Sequence, residues 1–247
     1  MVLREENLFF LSETDSTNRL AAAYAAEHPG VDAVFVAGRQ TAGEGRLGRR
    51  FESPAGAGLY MTILLHPTLP PADVLRLTTC AAIAVRRAIF ALCGRAPDVK
   101  WVNDLWFDGK KAAGILAKGV LSPDGKTLAY ALLGIGVNLT PAVLPPEVAA
   151  VATSLAEATG VAPTAKALAE AILRELPDES GYASPALLSE YRAASCLIGR
   201  DVTVFHGAET YPARVLDVTE EAALRVLRAD GTVEDLSSGE VSVRPQG

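Results

Sequence analysis

The spacing of apolar residues predicts alternating strands and helices over the first two thirds of the chain. Nearly unbroken apolar runs at 33–37 and 58–65 are typical of buried strands. Between Pro71 and Leu92 apolar residues recur at helical spacing and Gly94 follows, which predicts a long helix with a glycine stop. Shorter strands are predicted at 7–13 and 99–102, and further helices at about 16–27, 164–176 and 185–194.

Two β-rich runs, 111–121 and 127–138, flank the sequence Ser-Pro-Asp-Gly-Lys at 122–126. Proline presets one backbone dihedral of a turn, and Asp-Gly supplies a tight bend. The pattern therefore predicts a β-hairpin with Lys111 near its start and Asn138 at its end. The stretch 149–175, which contains much alanine and glutamate, is interpreted as helix.

The pattern changes after Ser195. Short β-rich segments separated by turns such as His206-Gly207 and Asp230-Gly231 predict a small barrel. These segments are 200–206, 210–217, 222–228, 232–236 and 241–243. The predicted domains are therefore 1–195 and 196–247.

Composition narrows the class of protein. Apolar residues make up 49% of the 247, enough for a substantial core, and the net charge of -6 argues against nucleic acid as the main partner. Three widely spaced cysteines without a C-x-x-C pair favour neither a disulfide framework nor a zinc site. Because no apolar run reaches membrane-spanning length and the N-terminus lacks signal-peptide features, we expect a cytoplasmic protein.

The most polar stretch, G-R-Q-T-A-G-E-G-R-L-G-R-R-F at 38–51, lies between two predicted strands. Its glycines allow tight bends and close approach to a ligand, and its arginines suit phosphate or carboxylate. The arginines are Arg39, Arg46, Arg49 and Arg50. An ordinary solvated loop has the same composition, and neither phosphate-loop nor dinucleotide-loop spacing is present. Other segments must decide what this loop holds.

Five polar clusters stand at strand ends or helix starts. They are D-S-T-N at 15–18, Q-T-A-G-E-G-R-L-G-R at 40–49, K-W-V-N-D at 100–104, K-A-A-G-I-L at 111–116 and G-I-G-V-N at 134–138. Their order resembles the catalytic core of the biotin protein ligases, from about residue 8 to the C-terminus. The resemblance implies an α+β fold with a mixed central β-sheet backed by helices, like the class II aminoacyl-tRNA synthetase and biotin ligase catalytic domains. A small C-terminal SH3-like β-barrel follows in that family.

The resemblance also implies a two-step reaction. Biotin would react with ATP to give biotinyl-5'-AMP and pyrophosphate, and a lysine of a biotin carboxyl carrier protein would then displace AMP. Because two anions must meet in the first step, fixed cations are required. By resemblance the catalytic residues are Lys111, at the biotin carboxyl and α-phosphate, Arg46, at phosphate and in loop closure, and Asp104, as a candidate to deprotonate the acceptor lysine.

The resemblance assigns two sets of binding residues. The biotin set is Ser16, Thr17, Asn18, Gln40, Gly43, Glu44, Gly45, Arg46, Lys111 and Gly114. The ATP set is Arg46, Arg49, Trp101, Asn103, Asp104, Lys111 and Asn138. Mg²⁺ is implied because it accompanies ATP phosphates, and Asp104 is its candidate ligand. Two alternatives stay open: residues 16–18 as a helix cap only, and Trp101 as a core aromatic instead of a ring that packs on adenine.

Two positions depart from the family pattern. Glu44 stands where the family has arginine, so either its carboxylate turns outward and pairs with Arg49 or Arg50, or the adenylate is held less tightly. We therefore expect Glu44→Arg to slow adenylate release. Val102 replaces the family's proline, with little expected loss.

Partners and rival functions follow from the same resemblance. The expected partner is the carrier protein, with a homodimer as a further one, and neither DNA nor a membrane is expected. Only a few residues precede the first predicted strand, so the DNA-binding domain of some family members is expected to be absent. The alternatives are a lipoate protein ligase of the same fold and a non-catalytic biotin- or nucleotide-binding homologue.

Overall fold

A seven-stranded mixed sheet forms the centre of the protein in a computed structural model that describes residues 7–237 and 241–245. Its strands are β1 Leu8–Leu11, β2 Ala33–Ala37, β3 Gly58–Leu65, β4 Asp98–Lys100, β5 Asp104–Phe107, β6 Lys110–Leu121 and β7 Leu128–Asn138. They lie in the order β1-β2-β3-β7-β6-β5-β4. β1 and β2 are parallel and the other neighbouring pairs are antiparallel.

Helices cover both faces of this sheet. They are α1 Thr17–Glu27, α2 Val74–Cys93, α3 Pro146–Ala149, α4 Leu155–Thr159, α5 Ala165–Glu175 and α6 Pro185–Ala193. α1 packs alone on one face, where the small residues Ala21 and Ala25 lie one turn apart against Phe35 and Leu64. α2, α5 and α6 contribute to the larger core on the opposite face.

A second, antiparallel sheet follows. Its strands are β8 Asp201–His206, β9 Glu209–Val218, β10 Leu224–Arg228, β11 Val233–Leu236 and β12 Val241–Pro245, in the order β11-β10-β9-β8-β12. Val202 and Val204 alternate with more exposed residues along β8, as in a strand with one buried face. This sheet is consistent with the predicted SH3-like unit, and the predicted fold class is confirmed. The division at 195 stays a prediction; residues 194–196 continue from α6 and hydrogen-bond with Val99 of β4.

Two element predictions were wrong. The predicted strand 99–102 ends at Lys100, because Trp101 and Val102 belong to a tight turn into β5, a strand that the sequence did not reveal. The helix read over 149–175 is broken. Ser154 starts α4 with a capping box, and Gly160, with φ of 77°, ends it.

Candidate active site

A side chain from the loop after β2 caps the N-terminus of α1. Gln40 Oε1 accepts hydrogen bonds from the backbone N of Thr17 at 2.8 Å and from its Oγ1 at 3.0 Å, while Gln40 Nε2 donates to Ser53 Oγ at 3.0 Å. The sequence left residues 16–18 open as a local helix cap, but Ser16 occupies the N-cap position without a side-chain cap bond. The interpretation as a local cap was therefore wrong, and the distant Gln40 fastens the loop to the helix.

The same polar contacts continue into the sheet. Thr62 Oγ1 of β3 lies 2.8 Å from Thr17 Oγ1 and 2.8 Å from Asn18 Oδ1. We call the row Ser53, Gln40, Thr17, Thr62 and Asn18 the polar ladder. Thr17, Asn18 and Thr62 are buried, so these groups hold one another in fixed positions.

Beside the polar ladder, three glycines leave part of β6 and β7 without side chains. Gly114 of β6 lies opposite Gly136 of β7, and Gly134 is two residues before Gly136 on the same strand. A Cβ at Gly134 would lie 2.8 Å from Asn18 Oδ1, one at Gly136 would lie 2.5 Å from the Phe51 ring, and one at Gly114 would lie 3.0 Å from Lys111 Nζ. We call Gly114, Gly134 and Gly136 the glycine floor, since side chains lie directly on it.

Lys111 projects over the edge of this floor. Its Nζ lies 2.7 Å from Asp104 Oδ1 and 6.0 Å from the centre of the Phe51 ring. The backbone of Lys111 also pairs with the segment before α4, since its N donates to Val151 O at 2.8 Å. Asp104 thus holds the ammonium group, the backbone bond fixes the residue that carries it, and the side chain stays partly exposed.

Arg46 approaches from the tip of the loop. Its Nη1 donates to Asn103 Oδ1 at 3.0 Å, and Asn103 Nδ2 donates to Ile115 O of β6 at 3.0 Å. Burial lowers the pKa of the Arg46 guanidinium, and the nearby Asp104 carboxylate opposes that change. Since arginine starts from a very high pKa, the group stays a cation.

Arg46 and Lys111 face common cavities. A cavity of about 50 Å³ lies over the glycine floor and reaches Thr17, Asn18 and Gln40. A second, of about 160 Å³, reaches Arg49, Lys100 and Asp104. The two cavities share Gly45, Arg46, Phe51, Asn103 and Lys111. A larger groove of about 760 Å³ lies between the loop, the start of α2 and β6, and also reaches Arg46.

Of the predicted site residues, Asn138 and Ser16 lie apart from this centre, whereas Trp101 lines the 160 Å³ cavity but is largely buried. Trp101 is 4% exposed and its indole Nε1 donates to Ala222 O at 2.9 Å, which favours the reading as a core aromatic. Asn138 donates to Thr153 O at 3.0 Å and lines a separate cavity of about 90 Å³. Ser16 is fully buried, and among the described residues no group hydrogen-bonds its Oγ.

Glu44 pairs with other cations than predicted. Its Oε1 lies 3.3 Å from Arg19 Nε of α1, and its Oε2 forms an ion pair with Lys118 Nζ of β6. Arg50 instead donates to Thr41 O. The prediction of pairing with Arg49 or Arg50 was therefore wrong. We call the Glu44, Arg19 and Lys118 contacts the Glu44 latch, since they connect the loop to both α1 and the sheet.

The carboxylate in the 160 Å³ cavity could bind Mg²⁺ only if a phosphate ligand and water supplied further oxygen atoms. Asp104 is the one carboxylate that lines the 160 Å³ cavity, and across residues 7–237 no group of three His, Cys, Asp or Glu could hold a metal ion. Mg²⁺ commonly uses one or two carboxylates and completes its shell with phosphate oxygens and water. The donor set therefore fits a magnesium ion that arrives with a phosphate ligand.

Several residues at the site were not singled out from the sequence. They are Phe51, Thr62, Lys100, Gly134 and Gly136. Gly134 and Gly136 alternate at strand period, so they mark one face of β7, and Thr62 is the one polar residue of β3. Lys100 is the first residue of the K-W-V-N-D motif at 100–104, although it was not itself chosen as a site residue. Its Nζ lies 4.4 Å from the centre of the Trp106 ring.

Comparison with known proteins assigns the family. A sequence model described as the Biotin/lipoate A/B protein ligase family matches residues 11–138, just over half of the chain. The chain belongs to this family. The matched segment includes the polar ladder, the glycine floor, Arg46 and Lys111.

The similar proteins differ in how much of their own length this chain covers. A Mycobacterium tuberculosis protein named Biotin--[acetyl-CoA-carboxylase] ligase is 33% identical over 240 residues, covering 94% of this chain and 86% of that protein. The Bacillus subtilis Bifunctional ligase/repressor BirA is 35% identical over 155 residues, covering 63% of this chain but only 48% of that protein. The chain thus spans about half the length of this second relative.

The fold also matches solved structures. The biotin protein ligase from Aquifex aeolicus in complex with biotin and ATP superposes with a TM-score of 0.79 at 27% identity, covering 98% of this chain and all of that one. Among the helices of the described ranges, none is long and apolar enough to cross a membrane.

Proposed function

We propose that this chain is a biotin protein ligase that joins biotin to ATP and transfers the biotinyl group to a lysine of a carrier protein. One observation carries the proposal: Arg46 and Lys111 face a shared cavity that also contains a fixed row of amide and hydroxyl groups. The relatives named as biotin ligases, and a structural neighbour solved with biotin and ATP, support it.

The first step needs charge neutralisation. A biotin carboxylate oxygen attacks the α-phosphorus of ATP, and pyrophosphate leaves with the electrons of the broken P–O bond. Lys111 would lie between the carboxylate and the α-phosphate, and Arg46 would bind the phosphate oxygens. Two fixed cations lower the repulsion between the anions and stabilise the charge that develops at phosphorus.

The polar ladder and the glycine floor would hold biotin. The ureido group of biotin has one acceptor and two donors, and the amide and hydroxyl groups of Thr17, Asn18 and Gln40 can satisfy them. Ligand sites usually measure about 300–1,000 Å³, so a cavity of about 50 Å³ requires rearrangement. The Phe51 ring, which lies on the glycine floor, is the group that must move. Gly43, Gly45 and Glu44 would form the walls around the floor to which Gly114 belongs, and Ser16 would support them from behind.

The nucleotide would occupy the adjoining 160 Å³ cavity. Arg49 and Lys100 add two cations there for the β- and γ-phosphates, and Asn103 holds Arg46 in place. Asp104 would ligate the Mg²⁺ that accompanies ATP. Asn138 and Trp101 remain candidates for the adenosine end, each after release from its present hydrogen bond.

Gly134 provides a test of the biotin pocket. We expect Gly134→Ala to weaken biotin binding roughly threefold to tenfold, because the new Cβ displaces the Asn18 amide from Thr62 and so removes about one hydrogen bond. Calorimetry with biotin measures this. Gly119→Ala, on the exposed end of β6, is the matched control and should bind biotin as the wild type does. Equal affinity of both variants would exclude the ladder as the biotin site.

Asp104 provides a test of the transfer step. If its carboxylate accepts the proton of the acceptor lysine, Asp104→Asn should slow transfer from preformed biotinyl-adenylate and change the dependence of that rate on pH. The measurement is single-turnover transfer to a carrier domain between pH 6 and pH 9. A wild-type rate across this range would remove Asp104 from the proton transfer.

The overall function is tested directly. The chain is incubated with MgATP, biotin and a biotin carboxyl carrier domain, and a mass increase on the carrier lysine is measured. Biotin-dependent exchange of pyrophosphate into ATP reports the first step alone. Exchange that responds to lipoate instead of biotin would indicate a lipoate ligase, and no exchange with either would indicate a non-catalytic homologue.

Two further features belong to the proposal. ATP and free thiols at Cys80, Cys93 and Cys196 suit a cytoplasmic location.

A homodimer is supported by the edge of β6. β5 pairs only with residues 110–114 of β6, and residues 115–121 pair with β7 alone among the described strands. Sedimentation with and without biotin and ATP measures the oligomeric state.

A further inference from the structure

The turn between β4 and β5 is held by groups from three other parts of the chain. Tyr191 of α6 is fully buried, and its hydroxyl donates to Val102 O at 3.0 Å. The Trp101 indole donates to Ala222 O, between β9 and β10. Asn103 exchanges hydrogen bonds with Ile115 of β6, both through its backbone O and through its side chain.

The next two residues of this turn hold the two central cations. Asn103 accepts the hydrogen bond from Arg46, and Asp104 pairs with Lys111. Val102 directly precedes Asn103 and Asp104, so a hydrogen bond that fixes its carbonyl also restrains the backbone from which both side chains project.

The Tyr191 hydroxyl is suited to this task. Burial raises the pKa of Tyr191 well above its ordinary value, with the Asp104 carboxylate adding to that and the Arg46 guanidinium opposing it. The group therefore stays protonated and remains a hydrogen-bond donor. Val102 is 1% exposed, so water does not readily replace this donor at its carbonyl.

We propose that Tyr191 is a positioning residue for adenylation, because its hydroxyl fixes the turn from which Asn103 and Asp104 hold Arg46 and Lys111. This inference rests on the proposed function. Tyr191 acts through these residues without touching a substrate. Its contribution should be larger on the nucleotide side, since no hydrogen bond among the described residues joins the polar ladder to this turn, although Asn103 lines the same cavity as the ladder.

The test is Tyr191→Phe, which removes one oxygen and keeps the ring. We expect kcat/KM for ATP in biotin-dependent pyrophosphate exchange to fall roughly threefold to tenfold, the factor that one hydrogen bond commonly contributes. The calorimetric Kd for biotin should change less than twofold. Tyr182→Phe is the matched control, because Tyr182 is also buried, burial raises its pKa to about 12, and its described hydrogen bonds run to Glu179 and Cys80 and not to the turn.

A second variant separates positioning from simple stabilisation. In an Asn103→Ala background the hydrogen bond from Arg46 to Asn103 is already absent, so adding Tyr191→Phe should lower kcat/KM for ATP by a clearly smaller factor than it does in the wild-type background. Full additivity of the two changes would overturn the inference, as would equal kinetics of Tyr191→Phe and Tyr182→Phe. Equal losses in ATP and biotin binding with a lowered Tm would do so too. A wild-type chain without exchange activity would instead refute the proposed function, and with it this role.

Discussion

Lys111→Ala is expected to lower adenylate synthesis by about 10²–10³-fold, the usual cost of removing one fixed electrostatic group from a reaction centre. In the proposed function the Lys111 ammonium group lies between the carboxylate and the α-phosphate, and Arg46, which projects from a different segment, would not replace it. The measurement is biotin-dependent exchange of pyrophosphate into ATP, with a single-turnover assay for the adenylate.

The controls for Lys111 come from the same strand. Lys110→Ala removes an exposed ammonium group one residue away and should leave exchange unchanged. Lys111→Arg keeps the charge but replaces a point cation by a larger planar fork, so we expect it to restore only a small part of the rate. Removing Lys111 leaves the Asp104 carboxylate without its cation, so thermal unfolding must be measured in parallel. Near-normal exchange by folded Lys111→Ala would remove the central assignment.

The main sheet was largely predictable because its strands follow simple periodicities. The strands at 33–37 and 58–65, the hairpin from Lys111 to Asn138 and the long helix ending before Gly94 all agree with the structure. Each of these elements is specified by residues close to one another in sequence, or by an apolar face that is buried along the whole element. The segment Trp101–Val102 was misread because buried turn residues have the same apolar character as a strand.

The proximity of the two central cations was predictable from the sequence, whereas most of the contacts around them were not. The order of the polar clusters brought Arg46 and Lys111 together correctly in one shared cavity. Gln40 as the cap of α1 could not be derived, because the partners are 23 residues apart and a local cap is the better sequence guess. The bond from Trp101 to Ala222 spans 121 residues and depends on how the C-terminal sheet docks.

The expected effect of Glu44→Arg changes sign once the Glu44 latch is known. From sequence, an arginine here should slow adenylate release, since it restores a cation to an anion site. In the structure the new guanidinium would meet Arg19 and Lys118, so two attractions become two repulsions. Exposed pairs contribute about 0–1 kcal/mol each. We therefore expect the loop to open more readily and the adenylate to dissociate roughly tenfold faster, which corresponds to about 1.4 kcal/mol.

Reversing the charges of Glu44 and Lys118, singly and together, tests this expectation. Lys118→Glu alone should also accelerate release, and the double variant Glu44→Arg with Lys118→Glu should recover much of the wild-type off-rate, because the attraction is rebuilt with opposite signs. The measurement is the dissociation rate of preformed biotinyl-adenylate from each variant. All differences should shrink as salt is raised, since the side chains of Glu44, Arg19 and Lys118 are partly exposed and screened. Slower release by Glu44→Arg alone would mean that direct attraction to the adenylate outweighs the latch, as the sequence suggested.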